Sequence, residues 1–299
     1  MSNPVVTPAD IETFWSDGVV CLRAVLPTSL LEAMSVPVEE AIVGTASADL
    51  TELGRAIAES GERVLTDDGL ADGLADGLAD SLARGRFLSG VDHWRHQAEF
   101  RDFALRSPLA AIVGALLGAQ NVRLYEDSVL VKEPGTIERT AWHQDLGYFH
   151  VQGEQLCTTW CPLDAVTADT GAVLFVKGSH RWDATFRPNL FVSEMAIPGT
   201  EGELVPDIDA LVAAGEVELI TFDTAPGDIT VHHARTLHAA GGNHSATVRR
   251  RAISVRYCGD DARVLMRPGA PLKPSQRELV DGAVLGDDSP LAWTAQEGR

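Results

Sequence analysis

Apolar residues follow two different periods along the chain, and the change falls near residue 120. In the first part they recur every three to four residues, the period of a helix that buries one face. This pattern occurs in three segments, 7–17, 28–43 and 101–118. A β-branched run at 18–26 predicts one strand among them. We therefore predict a mainly helical layer over residues 1–120.

The second part of the chain, residues 121–258, predicts strands. It consists of short runs of β-branched and aromatic residues separated by turn-forming residues. Many short strands after a set of helices favour an antiparallel sandwich or barrel with a helical layer. Residues 259–299 are rich in proline, and we predict them to be irregular. The whole chain, 1–299, is interpreted as a single domain.

Two local features interrupt this pattern. Pro37 predicts a kink or break in the second helical segment, because proline lacks the amide hydrogen that a helix interior needs. Residues 69–80 repeat the tetrapeptide Gly-Leu-Ala-Asp three times. The period of four suits a helix, but the glycines weaken it. We interpret residues 69–84 as a low-complexity surface insertion with partial helical character.

Composition excludes several classes of protein. The chain has 299 residues, of which 45% are hydrophobic and 22% are charged, as in an ordinary globular protein. A disordered, collagen-like or disulfide-scaffold protein is therefore excluded. The formal net charge is −19. Nucleic acids and anionic membranes attract basic surfaces, so we expect neither as a partner.

The cysteines and the absence of targeting patterns suggest a cytoplasmic protein. The four cysteines show neither a paired Cys-x-x-Cys spacing nor a zinc-like cluster, and we expect reduced thiols. We see no basic segment followed by an apolar run at the N-terminus, and no window of about 18 uninterrupted apolar residues. We therefore expect neither a signal peptide nor a transmembrane helix.

A first candidate for chemistry is the pair His143 and Asp145. Residues two apart on an extended strand point to the same face, so this imidazole and this carboxylate could bind one divalent cation. The pattern His-x-Asp is common by chance. Taken alone, it favours a hydrogen-bonded surface pair over a metal site.

A second candidate is the histidine-rich segment 227–243, which is followed by three consecutive arginines at 249–251. A histidine from this segment would complete a set of two histidines and one carboxylate. That set leaves metal positions open and is typical of non-haem Fe(II) oxygenases. An arginine on the next strand could bind the distal carboxylate of a 2-oxo diacid through two parallel hydrogen bonds.

With these residues the sequence resembles the phytanoyl-CoA dioxygenase family of Fe(II)/2-oxoglutarate-dependent oxygenases. The resemblance extends over about residues 8–268. It is strongest in WHQDLGYF (142–149), TGAVLFVKGSHRW (170–182) and the segment 226–254, which begins PGDITVHHARTLH. It implies an α+β fold with an all-β core, the double-stranded β-helix or cupin-like jelly-roll, with N-terminal helices packed on one sheet. It also implies Fe(II) and 2-oxoglutarate as cofactors and O2 as co-substrate.

The resemblance also implies roles for individual residues. His143, Asp145 and His238 are the expected iron ligands, the last because it precedes Asn243 by five residues as in the family pattern. His232 and His233 are the alternatives to His238. We interpret both as packed histidines or supports of the ligands.

The expected 2-oxoglutarate contacts are less sharply defined by the sequence. Spacing from His238 favours Arg249, which we prefer, whereas strand phase against Ala252 would favour Arg250. Only one of the two can reach the cofactor, since neighbouring strand residues face opposite ways. The resemblance adds three further candidates, Trp160, Gln144 and Lys132. A core role fits Trp160 equally well, and a structural role remains open for Lys132.

The expected reaction is hydroxylation, or another oxidation by hydrogen abstraction, of a small molecule, with release of succinate and CO2. Halogenating relatives have a small residue in place of the carboxylate, and this chain keeps Asp145. The composition, rich in Ala, Gly and Asp, resembles high-GC coding. For such a protein the family resemblance implies an intermediate of specialised (antibiotic or other secondary) metabolism as the substrate. Four aromatic residues are candidates to line its pocket, namely Tyr148, Phe149, Trp182 and Phe191.

Two other functions remain open at this point. One is a redox-neutral metalloenzyme on the same barrel, and the other is a binding protein without turnover. The sequence leaves open the substrate itself, the position oxidised and the oligomeric state.

Overall fold

The computed structural model describes residues 5–66, 69–71 and 85–295. The helices are α1 Pro8–Asp17, α2 Thr28–Ala33, α3 Ser35–Val43, α4 Leu50–Glu59, α5 Ala98–Arg106, α6 Leu109–Leu117 and α7 Ile208–Ala213. The strands are β1 Val19–Leu22, β2 Ser47–Asp49, β3 Val64–Thr66, β4 Gly69–Ala71, β5 Phe87–Val91, β6 Asn121–Lys132, β7 Thr140–His143, β8 Val151–Gln152, β9 Leu156–Pro162, β10 Val173–Val176, β11 Leu219–Thr221, β12 Ile229–His233, β13 His238–Ala240, β14 Arg250–Cys258, β15 Arg263–Val264 and β16 Leu291–Thr294.

Two antiparallel sheets form the core. The major sheet has the order β1-β12-β9-β14-β6-β5-β2, with β16 also paired to β6, and the minor sheet has the order β11-β10-β13-β7. Residues of both sheets line the same cavity, so the sheets face each other across it. This is the arrangement of a jelly-roll, and the predicted fold class is confirmed.

Alternation along the central strands separates the hydrophobic core from the site. On β14, Ile253 and Val255 pack in the largest apolar cluster, whereas Arg250 and Ser254 line the cavity between the sheets. Strands β6, β9 and β12 alternate in the same way, as expected for a period of two residues. Helices α1, α3, α5 and α6 contribute to the same apolar cluster on the outer face. The helical layer therefore covers one face of the major sheet, and the opposite face is left for chemistry.

The predicted helices are present, but two of them are divided. The segment predicted as a kinked helix over 28–43 forms α2 and α3, which meet at Met34. Pro37 lies in the first turn of α3, where its missing amide hydrogen costs no hydrogen bond. The segment predicted as one helix over 101–118 forms α5 and α6, with Pro108 between them. The first helix begins after Thr7, whose side chain accepts a hydrogen bond from the Asp10 amide.

The boundary predicted at residue 120 corresponds to no division of the sheets. Strands β1, β2 and β5 precede it and belong to the major sheet, and β16 of the segment predicted to be irregular pairs with β6. Pairing of strands far apart in sequence leaves no local signal. Of the low-complexity insertion, Gly69–Ala71 pairs with β3 as a strand and is not helical, and 72–84 lie outside the described residues.

Within the described ranges, no helix is long and apolar enough to cross a membrane.

Candidate metal centre

The three expected ligands meet at the edge of the minor sheet. His143 ends β7 and His238 begins β13, and the two residues are direct partners across these strands. Asp145 begins the single turn that follows β7. Gln144 between them is extended, so His143 and Asp145 point to the same side as predicted. All three side chains are buried.

The histidine rings present their Nε2 atoms to a common point. The Nδ1 atom of His143 lies 2.8 Å from the carbonyl oxygen of Ala141, and that of His238 lies 2.9 Å from the carbonyl oxygen of Thr236. These bonds fix Nδ1 as the protonated nitrogen and leave the Nε2 lone pairs free. Each Nε2 lies 3.9 Å from Asp145 Oδ1. The ligand atoms all lie within 4.8 Å of one another, as in a metal site.

Electrostatics place the ligands in their metal-binding protonation states. Burial lowers the pKa of His143, and burial together with the neighbouring His143 lowers the pKa of His238 well below its usual value. Burial would raise the pKa of Asp145, but Arg256, His232 and His238 outweigh it and hold that pKa well below the usual value. Two neutral imidazoles and one carboxylate at neutral pH are what a divalent metal requires.

Two residues lie behind Asp145, and of these only Thr158 was not among the supports expected from the sequence. Thr158 of β9 donates a hydrogen bond to Asp145 Oδ2. His232 Nε2 lies 3.4 Å from the same oxygen. Asp145 Oδ1 is thereby left to face the histidines. His232 was expected to be a packed histidine or a support of the ligands, and its contact with Asp145 agrees with a support. Thr158 could have been predicted from the sequence, because it lies two residues before Trp160 on the same face of β9.

Arg250 lies on one side of these ligands, in a small cavity. It is only 2% exposed, and its guanidinium carbon lies 5.7 Å from the ring centroid of Trp160. The cavity is lined by Arg250, Trp160 and the three ligands, among others. Among the described residues, Arg250 Nε has no hydrogen-bond partner, and no carboxylate forms an ion pair with Arg250. Burial lowers its pKa to about 10, so it is still cationic at neutral pH.

Arg249 faces the other way. Its Nη1 lies 2.7 Å from Glu39 Oε1 on the helical side, where 32% of its side chain is exposed. Arg251 binds Asp164 at 2.8 Å. The spacing from His238 favoured Arg249, but the structure brings Arg250 and not Arg249 to the ligands. Strand phase was the better guide, because alternation fixes which face a residue occupies.

Lys132 and Gln144 do not line the cavity of Arg250. Lys132 is fully buried and donates hydrogen bonds to the carbonyl oxygens of Glu138 and Gly241. Gln144 donates to the carbonyl oxygen of Arg235 at 2.7 Å and accepts from the amide of Phe186 at 3.2 Å. Both side chains hold backbone segments around the centre and are not placed to contact a ligand in that cavity.

A larger cavity of about 480 Å³ opens on the other side of His143 and Asp145. Tyr148, Phe149 and Phe191 line it, as expected from the sequence. Trp182 does not. It packs against Phe186, with ring centroids 6.3 Å apart, in a separate apolar cluster that includes the minor-sheet residue Val176.

Three charged residues of this larger cavity were missed by the sequence analysis. Arg256 lies on the same face of β14 as Arg250. The even spacing between the two residues on one strand could have predicted this position. Glu126 and Lys273 come from β6 and from the C-terminal segment, and no local pattern marks them. Lys273 Nζ lies 2.6 Å from Glu126 Oε2, and Arg256 Nη1 lies 3.5 Å from Glu126 Oε1.

A jelly-roll that holds two histidines and one carboxylate with open positions defines the class of mononuclear non-haem iron oxygenases. The sequence profile of one family, described as phytanoyl-CoA dioxygenase (PhyH), matches residues 14–252. The chain therefore belongs to the phytanoyl-CoA dioxygenase family, and the expected membership is confirmed.

Two curated relatives match part of the chain. A probable alpha-ketoglutarate-dependent hypophosphite dioxygenase from Stutzerimonas stutzeri is 30% identical over 150 residues, which are 50% of each protein. The dioxygenase cdmD from Talaromyces verruculosus is 26% identical over 133 residues, 42% of this chain and 36% of that protein. The chain thus spans half or less of the length of these relatives.

Solved structures share the fold over nearly the whole chain. The alpha-ketoglutarate-dependent carbocyclase SnoK from nogalamycin biosynthesis has a TM-score of 0.66 at 20% identity, covering 96% of this chain and 97% of SnoK. The epimerase SnoN from the same biosynthesis has 0.63 at 22%, covering 96% and 100%. EctD from S. alaskensis, with 2-oxoglutarate and 5-hydroxyectoine, has 0.63 at 15%, covering 95% and 87%. At these identities the likeness concerns the fold alone.

Proposed function

We propose that the protein is a non-haem Fe(II)- and 2-oxoglutarate-dependent oxygenase that oxidises a small molecule by hydrogen abstraction. His143, Asp145 and His238 would hold the iron. Membership of a dioxygenase family and the part-length similarity to an alpha-ketoglutarate-dependent dioxygenase support this activity.

The single observation that carries the cofactor assignment is the buried, unpaired Arg250. A guanidinium removed from water without a carboxylate is costly, and an anionic ligand would offset that cost. The distal carboxylate of 2-oxoglutarate is such a ligand, and the Arg250 cavity also contains the expected metal ligands. Arg250 would bind that carboxylate, and Trp160 would pack beside the guanidinium.

The division of tasks follows from the two cavities. When bound, iron with 2-oxoglutarate and O2 supplies the oxidising chemistry, with release of succinate and CO2. The chain orients the two histidines through their Nδ1 bonds and the carboxylate through Thr158. The aromatic residues Tyr148, Phe149 and Phe191 would exclude water from the substrate side.

The retained carboxylate supports hydroxylation or a related oxidation over halogenation, as argued from the sequence. An intermediate of specialised metabolism as the substrate stays part of the proposal. It agrees with the size of the larger cavity, which lies within the ordinary range for small-molecule sites.

A redox-neutral metalloenzyme would use the same three ligands but would have no need for a buried cation beside them. The unpaired Arg250 therefore favours the oxygenase. The intact set of three converging metal ligands argues against a binding protein without turnover.

The test is anaerobic addition of Fe(II) and then 2-oxoglutarate to the purified protein. We expect the weak visible charge-transfer band of the iron chelate in the wild type and in His96→Ala, an exposed control. We expect no band in His143→Ala. Metal binding without a band in the wild type would contradict the cofactor assignment and favour the redox-neutral enzyme.

A further inference from the structure

The larger cavity contains charged residues whose charges are already balanced. Among the described residues that line it, the cationic side chains are Arg256 and Lys273. Lys273 Nζ lies 2.6 Å from Glu126 Oε2 and 2.9 Å from Asp92 Oδ2. Burial would lower the pKa of Lys273, but Glu126 and Asp92 outweigh it and raise that pKa, so the ion pairs persist at neutral pH.

Arg256 continues this arrangement towards the metal ligands. It lies 3.5 Å from Glu126 Oε1 through Nη1 and 3.9 Å from Asp145 Oδ2 through Nε, and it donates a hydrogen bond to Ser128. Positive and negative side chains thus alternate in the order Asp92, Lys273, Glu126, Arg256 and Asp145. Neither cation of this cavity is left without a carboxylate, in contrast to Arg250.

The rest of the cavity wall is mainly apolar. Leu50, Val91, Leu130, Phe149 and Phe191 contribute side chains, together with Leu272 of the C-terminal segment. The guanidinium of Arg256 lies in this wall, and 12% of its side chain is exposed. A ligand would therefore meet a mainly apolar surface with the paired guanidinium of Arg256 close to His143 and Asp145.

These charges discriminate against charged ligands. A carboxylate or a small phosphorus oxyanion would have to break the Lys273–Glu126 pair, or lie beside two carboxylates without a free cation. An ammonium group would likewise have to break the Lys273–Glu126 pair, or lie beside two cations without a free carboxylate. An uncharged molecule disturbs none of the pairs and buries apolar surface.

We propose that the substrate is an uncharged, largely apolar molecule with a hydroxyl or carbonyl oxygen that accepts a hydrogen bond from Arg256. This inference about the substrate rests on the proposed function, because it assigns the occupant of the cavity that borders the proposed iron ligands. Arg256 is then a specificity-determining residue, and Glu126 contributes to the charge selectivity because it pairs with both cations.

The test compares two probes with the same aromatic framework. N-phenyl-1-naphthylamine is uncharged, and 8-anilino-1-naphthalenesulfonate carries one sulfonate in addition. Both are titrated by fluorescence into the anaerobic protein loaded with Fe(II) and 2-oxoglutarate. We expect at least tenfold tighter binding of the uncharged probe. Equal affinity, or tighter binding of the sulfonate, would overturn the proposal.

A substitution in the cavity wall tests whether the uncharged probe binds in this cavity. Ser89→Trp would fill the cavity and abolish binding of the uncharged probe, whereas Val43→Trp, at an exposed position, would retain it. Retained binding in Ser89→Trp would show that the probe lies elsewhere and would overturn the assignment of the cavity.

Glu126→Gln would leave two cations with one carboxylate fewer, so we expect about tenfold tighter binding of the sulfonate probe. Glu218→Gln, which removes a carboxylate from an exposed pair, would cause no change. No gain in Glu126→Gln would refute the role of Glu126. The wild-type comparison needs no variant, so a misfolded Glu126→Gln protein leaves the main test intact.

The two proposals fail in different ways. Absence of the charge-transfer band in the wild type would contradict the oxygenase, whatever the probes do. A normal band together with a preference for the sulfonate would contradict only the substrate class.

Discussion

Two cavities meet at His143 and Asp145; Arg250 of β14 lines only the smaller one and Arg256 of β14 lines both, and the two arginines are in opposite electrostatic situations. Arg250 is buried without a carboxylate, and Arg256 lies near Glu126 and Asp145. A buried cation without a carboxylate partner favours an anionic ligand, whereas a cation already paired with carboxylates does not attract a further anion. The comparison indicates an anionic cofactor on one side and an uncharged substrate on the other.

The largest expected effect comes from Asp145, an expected metal ligand that lines both cavities. Asp145→Ala would remove the carboxylate ligand and also a neighbour of Arg256, so we expect at least a thousandfold loss of 2-oxoglutarate-dependent succinate release and loss of Fe(II) binding in an anaerobic titration. Asp102→Ala, at an exposed carboxylate, is the control. Unchanged turnover in Asp145→Ala would show that the centre is assigned wrongly.

The second prediction separates the neighbouring arginines. Arg250→Ala would raise the 2-oxoglutarate dissociation constant about 100-fold, since a charged hydrogen-bond pair contributes about 2–3 kcal/mol. Arg249→Ala would change it less than about twofold, because Arg249 is half-exposed and bound to Glu39. The charge-transfer band measures both constants. A large effect of Arg249→Ala and a small effect of Arg250→Ala would mean that the side chains of β14 face the opposite way. The difference in charge pairing between Arg250 and Arg256 would then no longer hold.

A third prediction concerns a buried ionisable group outside both cavities. Burial lowers the pKa of His233 to about 4, and its Nε2 lies 2.8 Å from the carbonyl oxygen of Glu154. An unfolded histidine titrates near 6.5, so the unfolded state binds more protons between about pH 4 and 6.5. The stability due to neutral His233 is present above pH 6.5 and is lost as the pH falls towards 4.

Denaturant unfolding at two pH values measures this effect. We expect His233 to make the free energy of unfolding about 2 kcal/mol lower at pH 5 than at pH 8. His233→Gln would reduce the pH dependence by that amount, and His96→Gln, at an exposed position, would not. An equal pH dependence in His233→Gln would mean that burial alone does not shift the pKa, and the same reasoning about Arg250 would be weakened.

The smallest predicted effect concerns the orientation of Asp145. Thr158→Val removes the hydroxyl that binds Asp145 Oδ2 but keeps the shape of the side chain, and we expect about tenfold weaker Fe(II) binding. Thr159→Val is a matched control, since the Thr159 hydroxyl donates to the carbonyl oxygen of Val255 on the opposite face of β9. Equal loss in both variants would indicate a general effect on the sheet.

The sequence by itself determined the parts of the protein that local pattern controls. The helical and strand periods predicted a helical layer on a β core, because alternation along β6, β9, β12 and β14 must bury one face. The spacing of His143 and Asp145 predicted a shared face, because an extended residue lies between them. The family resemblance, through the order of the motifs and the position of His238 before Asn243, predicted the third ligand.

Only the tertiary structure decided which charges meet. Arg249 and Arg250 are the same residue type and adjacent in sequence. In the fold, Glu39 of α3 pairs with Arg249, whereas Arg250 lines the cavity beside the expected metal ligands. Glu126 and Lys273 are nearly 150 residues apart, and the fold makes them an ion pair. Whether a buried cation is paired depends on long-range contacts between strands and segments that no local period encodes, and this pairing determines what each cavity can bind.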